Sequence, residues 1–251
     1  MPGQTEQPLG TALVVGATGD IGRAIARRLG RDGWKLQLAG RDGQRLEAEA
    51  QDLRLRGVSV EIHRCDVQNE NAGVSLLDAL SATPDIAVCT VGMLGDQSAA
   101  SENLATAEVI MRTNYTGPAL LMGELANRFE QRGSGVLVGI SSIAGDRGRR
   151  TNYTYGSAKS GFTTFLAGLR NRLWRSGVHV ITVKPGYVRT RMTDHLDLPE
   201  FLTVNPDDVA DRVAVAIRKS QDVVHVGRLW RVVSIVLRSI PERLFKRLSL
   251  P

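Results

Sequence analysis

Short apolar runs alternate with longer helix-like stretches along most of the chain, and that alternation limits the possible folds more than any single motif does. Residues 12–15, 35–39, 58–63, 86–89, 136–140 and 178–183 read as strands. Residues 22–31, 44–55, 72–80, 102–129, 153–174 and 206–220 have helical periodicity or length. Strand, helix, strand in succession demands a parallel sheet, because parallel neighbours need a long crossover. Right-handed crossovers then cover both faces, which predicts an α/β, doubly wound parallel sheet of the Rossmann type with about seven strands in one domain. Ligands of such sheets sit beyond the carboxyl ends of the strands. Composition agrees: 42% hydrophobic but 5% aromatic residues, with 26 glycines, suit an aliphatic core with tight loops. No internal repeat or linker-like shift divides residues 11–227, which form the expected Rossmann-type domain, after a disordered lead-in over 1–10.

The first expected strand runs into Gly16, Ala17, Thr18, Gly19, Asp20, Ile21 and Gly22 and then a helix. Small residues there let the backbone approach a pyrophosphate, whose charge the free N–H groups at the helix start stabilise. The second strand ends at Gly40 and Arg41, where an NAD-preferring fold places a carboxylate for the ribose 2′-hydroxyl. A guanidinium instead forks onto a 2′-phosphate, so Arg41 points to NADP(H), with NAD(H) as the alternative; Asp42 beside it offers Arg41 a partner and so a purely surface role. Asp66 and Val67 close the third strand, where Asp66 either receives the adenine amino group or caps the next helix.

Tyr155 and Lys159 lie four apart in a helix-like segment and therefore share a face. Ser142 stands thirteen residues before Tyr155 at the end of the fifth strand, and Asn114 lies in Met111-Arg112-Thr113-Asn114-Tyr115. With the Gly92 turn and Pro185, Gly186, Val188 and Thr190, these motifs in this order resemble the short-chain dehydrogenase/reductase family over nearly the whole chain. The resemblance implies an oxidoreductase interconverting a ketone and a secondary alcohol, active as a homodimer or homotetramer. It implies Tyr155 as proton donor and Ser142 as hydrogen-bond donor to the carbonyl. Lys159 would bind the cofactor ribose, Asn114 would hold a water, and Val188 and Thr190 would orient the nicotinamide. A phenol near pKa ~10 needs help to cycle at neutral pH, and the Lys159 ammonium is expected to pull it down.

Two departures stand out. Asp20 replaces a glycine, giving G-x-x-G-x-x-G, and Cys89-Thr90-Val91-Gly92 replaces the commoner Asn-Asn-Ala-Gly, which puts a usual sheet-stabilising hydrogen bond in doubt. Gly92-Met93-Leu94-Gly95-Asp96, residues 145–150, Arg189-Thr190-Arg191-Met192 and Leu237-Arg238-Ser239-Ile240-Pro241 resemble one subgroup, the decaprenylphosphoryl 2-keto-pentose reductases. That resemblance implies a lipid-linked keto substrate and a flavin oxidase as partner. Arg147, Arg149 and Arg150, between Ser142 and Tyr155, would meet a substrate phosphate; a solvated loop or a subunit contact explains them equally.

The tail, 228–251, carries Arg228, Arg231, Arg238, Arg243, Lys246 and Arg247 against Glu242 alone, within a chain of net charge +6. Its apolar residues recur at helical spacing beside those cations, which suits either a basic amphipathic helix on an anionic membrane or one docked on the sheet or a subunit. No run reaches the ~18 apolar residues of a membrane span. Nor does the N-terminus read as a secretory signal, and Cys65 and Cys89 read as buried thiols, so a cytoplasmic enzyme is expected, peripheral on the inner membrane face if the tail binds lipid. The four histidines are scattered singly, which argues against a metal centre, and basic charge without interleaved aromatics gives no nucleic-acid surface. Two rivals remain: a reductase of a soluble or acyl ketone, and a non-catalytic NADP(H) sensor, which would have no need of all four catalytic residues.

Overall fold

A computed structural model describes residues 9–227 and 229–248. Most of the expected lead-in, 1–8, together with Arg228 and 249–251 of the tail, lies outside the described residues. Leu9 and Gly10 already belong to the sheet's margin: the Leu9 amide donates to the Gly33 carbonyl at 3.2 Å and Lys35 N donates to Gly10 O at 3.0 Å.

Strands β1 (Thr11–Val15), β2 (Lys35–Gly40), β3 (Val60–Arg64), β4 (Ile86–Cys89), β5 (Gly135–Ile140) and β6 (Val178–Pro185) confirm the six expected strands with small changes at their ends. Two-residue strands β7 (Tyr187–Val188) and β8 (Thr203–Val204) pair apart from the main sheet, and β9 (Val223–Val226) adds its seventh strand, which the apolar runs had not singled out. The order is β3-β2-β1-β4-β5-β6-β9, all parallel, so the chain reverses direction across the sheet between β1 and β4. That switch point is where ligands bind in open α/β sheets.

Both faces are covered. On β1, Ala12 and Val14 pack into a core with α1 (Asp20–Arg31), α2 (Gly43–Leu55) and α8 (Pro206–Arg218), whereas Leu13 and Val15 face α3 (Ala72–Ala79), α6 (Gly117–Arg132) and α7 (Tyr153–Leu173). The period of two places alternate side chains on opposite faces, and burial on both sides explains why the strands are uninterrupted apolar runs.

The single helix expected over 102–129 is interrupted twice. α4 (Gln97–Glu102) stops at Asn103, whose side chain accepts from Ala105 N at 2.9 Å and so caps α5 (Leu104–Met111). A π-helical turn over Arg112–Thr116 then precedes α6. Such wide turns leave backbone carbonyls without helical partners and gather at functional sites; this one carries Asn114. Helix α9 (Trp230–Ser239) and the short α10 (Glu242–Phe245) complete the tail and dock on the domain rather than projecting from it.

Candidate active site

A cleft of about 1000 Å³ opens beyond the carboxyl ends of β4, β5 and β6, and Ser142, Tyr155, Lys159, Gly92, Gly186 and Thr190 all line it. α7 presents Tyr155 and Lys159 one turn apart, and the turn after β5 supplies Ser142, whose Oγ accepts from Ala144 N at 3.1 Å. That turn is packed tightly: a Cβ on Gly145 would lie 2.7 Å from Ser160 N and 2.8 Å from Lys159 C, so glycine alone lets the Ser142 loop rest on α7 beside the lysine.

Lys159 is buried, and its Nζ donates to Ile140 O at 3.1 Å and Val91 O at 3.3 Å. Burial pushes its pKa down to about 8. Asn114, fully buried, donates from Nδ2 to Met93 O at 2.7 Å and Ile110 O at 2.8 Å, and its Oδ1 accepts from Met93 N at 3.2 Å. Its observed work is thus to fix the loop after β4. Gly92 sits between the two side chains: a Cβ there would come within 3.0 Å of Asn114 Oδ1 and 3.2 Å of Lys159 Nζ.

The electrostatics of Tyr155 differ from the expectation. Burial raises the phenol's pKa, and the groups pulling it back are the hydrogen-bonded Ser142 hydroxyl and the charge of Arg149, not Lys159. Lys159 Nζ lies 5.9 Å from the Tyr155 ring centroid, with its charge directed at backbone carbonyls instead.

The nucleotide loop has the geometry that a dinucleotide needs. Gly16 has φ +86°, and a Cβ on Gly22 would lie 2.3 Å from Gly16 O, so both positions exclude other residues. Gly19 starts α1 without a side-chain cap, leaving the first N–H groups available, and its own Cβ position meets only Gly16 O at 3.4 Å. Thr18 and Ile21 flank it, and Ile21 also lines the cleft. Arg41 is exposed just past β2. Asp42 does not pair with it but caps α2, accepting from Arg45 N at 3.1 Å. Asp66 does not cap α3 either; it closes a turn by accepting from Gln68 N at 3.1 Å, and Val67 is buried against the start of α6.

The doubtful hydrogen bond at the β4 end is made by Thr90. Its Oγ1 lies 2.9 Å from Val15 O and 3.1 Å from Gly16 O, fastening β4 to the nucleotide loop. Thr193, which the sequence pattern did not mark, donates to Val188 O at 2.6 Å and accepts from Thr190 N at 3.2 Å, holding the turn expected to face the nicotinamide.

Of the three loop arginines, Arg149 and Arg150 line the cleft and Arg147 does not. Arg147 bonds Glu242 at 2.6 Å and stacks over the Phe245 ring at 4.2 Å, which draws it to the tail. Next to it, buried Asp146 pairs with Lys184 of β6 and accepts from Ser234 Oγ of α9 at 2.6 Å. Trp230 lines the cleft, donates from its indole N–H to Leu202 O at 2.8 Å and stacks edge-on against Tyr187 at 5.0 Å. Gly186 is obligatory there, since a Cβ would lie 1.9 Å from the indole. A lysine ending an apolar strand run was the available sequence signal for Lys184; nothing local marked Trp230 or Ser234.

A family profile described as short chain dehydrogenase matches residues 10–200. The chain belongs to the short-chain dehydrogenase family. It is accordingly an oxidoreductase acting on CH–OH groups. An uncharacterised oxidoreductase of Mycobacterium tuberculosis is 35% identical over 240 residues, covering 94% of this chain and 96% of the relative. Among solved structures, a short-chain dehydrogenase from Sphingobium yanoikuyae in complex with NADPH is 27% identical, with a TM-score of 0.81 over 93% of this chain and 97% of that one. The bulky-bulky ketone specific alcohol dehydrogenase of Comamonas testosteroni is 26% identical, with a TM-score of 0.78 over 93% and 96%.

Proposed function

We propose that this protein is an NADP(H)-dependent reductase converting a ketone on a bulky substrate to a secondary alcohol. The observation that carries the reading is the convergence of Ser142, Tyr155 and Lys159 on one cleft, beside a turn at Gly186–Thr190 and below an uncapped helix start. NADP(H) fits the residues present: the glycine loop leaves backbone room, and Arg41 stands exposed at the β2 end with Asp42 otherwise engaged. The NADPH-bound Sphingobium structure supports the same cofactor.

When bound, the reduced nicotinamide supplies the hydride. The chain supplies the proton and the stabilisation. Ser142 donates a hydrogen bond to the carbonyl oxygen, where negative charge builds, and the Tyr155 hydroxyl transfers its proton to that oxygen. The Ser142 hydroxyl and the charge of Arg149 favour the phenolate left behind, Lys159 holds the cofactor ribose, and Asn114 keeps the β4 loop and Lys159 in register.

The finer reading of the substrate is a polyprenylphosphoryl 2-keto-pentose, formed by a flavin oxidase partner. Supporting it are the subgroup words in the sequence, Arg149 and Arg150 on the cleft wall, and the exposed apolar outer face of α9. A soluble bulky ketone is the second reading, favoured by the Tyr187–Trp230 wall and the Comamonas neighbour.

NADPH oxidation by the purified protein, given a short-chain prenylphosphoryl 2-keto-pentose or a panel of bulky aryl ketones, separates them. Turnover on the first alone supports the lipid-linked reading; turnover on the second alone overturns it. Tyr155→Phe is expected to lose about 10²–10⁴-fold in kcat on whichever substrate works, and wild-type turnover in that variant rejects the proposed mechanism. Arg41→Ala is expected to weaken NADPH much more than NADH in fluorescence titration; equal weakening removes Arg41 from the 2′-phosphate site.

A further inference from the structure

Asp20, the residue that replaces a loop glycine, makes contacts that the family pattern does not lead one to expect. Its Oδ2 accepts from the backbone N of Arg191 at 2.8 Å and its Oδ1 from Arg191 Nε at 2.9 Å. Arg191 Nη2 donates onward to the carbonyl oxygen of Thr18 at 2.9 Å. Two hydrogen bonds and an ion pair therefore join Asp20 to a residue 171 positions away, a third ties the same arginine to Thr18, and only 19% of the Asp20 side chain is exposed. The two segments they join are the nucleotide loop and the stretch after the Pro-Gly turn, whose Thr190 lies between Arg191 and the cleft.

An aspartate in the first turn of α1 sets its own charge where a phosphate would have to bind, and two anions at one helix start repel. Arg191 removes that conflict. Its fork satisfies the carboxylate and leaves the helix N–H groups to the ligand, while its bond to Thr18 O braces the loop.

We propose that Asp20 and Arg191 form a clasp across the dinucleotide groove that slows cofactor release, with Arg191 as a positioning residue for the nucleotide loop. This rests on the NADP(H) reading above. The arginine matters more than the aspartate, because losing Arg191 leaves an uncompensated carboxylate at the helix start, whereas losing Asp20 removes the repulsion along with the bridge.

Stopped-flow release of NADPH, chased with excess NADP⁺, tests the clasp in the whole chain. Arg191→Ala should release NADPH about tenfold faster or more, Asp20→Asn several-fold faster, and the Asp20→Ala/Arg191→Ala double variant more slowly than Arg191→Ala alone. Melting of each cofactor-free variant checks the fold, and where the alanine forms do not fold, Arg191→Lys with Asp20→Asn gives the comparison at smaller amplitude. Wild-type release from Asp20→Asn, or effects that simply multiply in the double variant, overturns the clasp. A wild type that binds NADH but not NADPH instead fails the cofactor reading, and the same release series is then run with NADH.

Discussion

Under the proposed mechanism Lys159 serves catalysis, while its burial works against stability. Its ammonium is buried among carbonyl oxygens, no carboxylate among the described residues pairs with it, and burial holds its pKa near 8 against 10.5 for a free lysine. In the unfolded chain the group keeps its proton up to the higher value. Between about pH 8 and 10.5 the unfolded state therefore binds more protons, and this lysine's contribution makes the folded protein more stable as pH rises through that window. Below it, the buried charge is a standing cost. Lys159→Met is accordingly expected to raise the cofactor-free melting temperature at pH 7 by a few degrees, as ~1 kcal/mol moves a domain of this size by roughly 2–4 °C, and to flatten the alkaline rise. The same variant should lose nearly all turnover, and wild-type turnover should decline above about pH 8 as the ammonium is lost. Thermal unfolding across pH, beside rates, decides this; a destabilised Lys159→Met shows that its carbonyl bonds outweigh desolvation.

At the scale of elements, Asp146, Lys184 and Ser234 join the Ser142 loop, the end of β6 and helix α9 through one buried cluster. Removing one member of a buried pair strands the other charge, a loss on the order of 3–5 kcal/mol, whereas Ser234→Ala gives up a hydrogen bond to a charged group, about 1.5–3 kcal/mol. Asp146→Ala should therefore destabilise more than Ser234→Ala in denaturant unfolding, and Asp146→Ala/Lys184→Met should recover part of the loss; a double variant no better than Asp146→Ala means the two do not act as a pair. The cluster also shows what the sequence could not give. Strand and helix periodicity located six strands because each is a local pattern, and order and spacing located Ser142, Tyr155 and Lys159. Asp146 and Ser234 meet only through the tertiary fold. Likewise the apolar continuity over 102–129 concealed the Asn103 cap and the π turn, whose wide geometry turns Asn114 inward toward Met93. β9 passed unmarked because its four residues include His225 and it pairs with β6 alone at the sheet edge.

At the scale of the whole molecule, α9 has one docked face and one exposed face. Trp230 and Ser234 turn inward and complete the cleft wall and the Asp146 cluster, so α9 is docked on its own domain. Leu229, Val232, Ile235 and Val236 remain about half exposed, joined by Leu244 and Leu248 and flanked by Arg231 and Arg238. Docking and surface contact are thus compatible. Among the described residues no helix is long and apolar enough to cross a membrane, so any lipid contact rests on that outer face. The inner face predicts that deleting 229–251 lowers both stability and turnover, because it strips Trp230 from Gly186 and Ser234 from Asp146. Changing only Val232, Ile235 and Val236 to serine touches none of those contacts. If the outer face meets an anionic bilayer, this triple variant should lose cosedimentation with phosphatidylserine-containing vesicles while keeping its melting temperature and its rate on a water-soluble ketone. If the same change leaves vesicle binding intact but converts an oligomer to a smaller species in sedimentation velocity, the face belongs to a second copy of the chain, and the membrane reading of the tail is wrong.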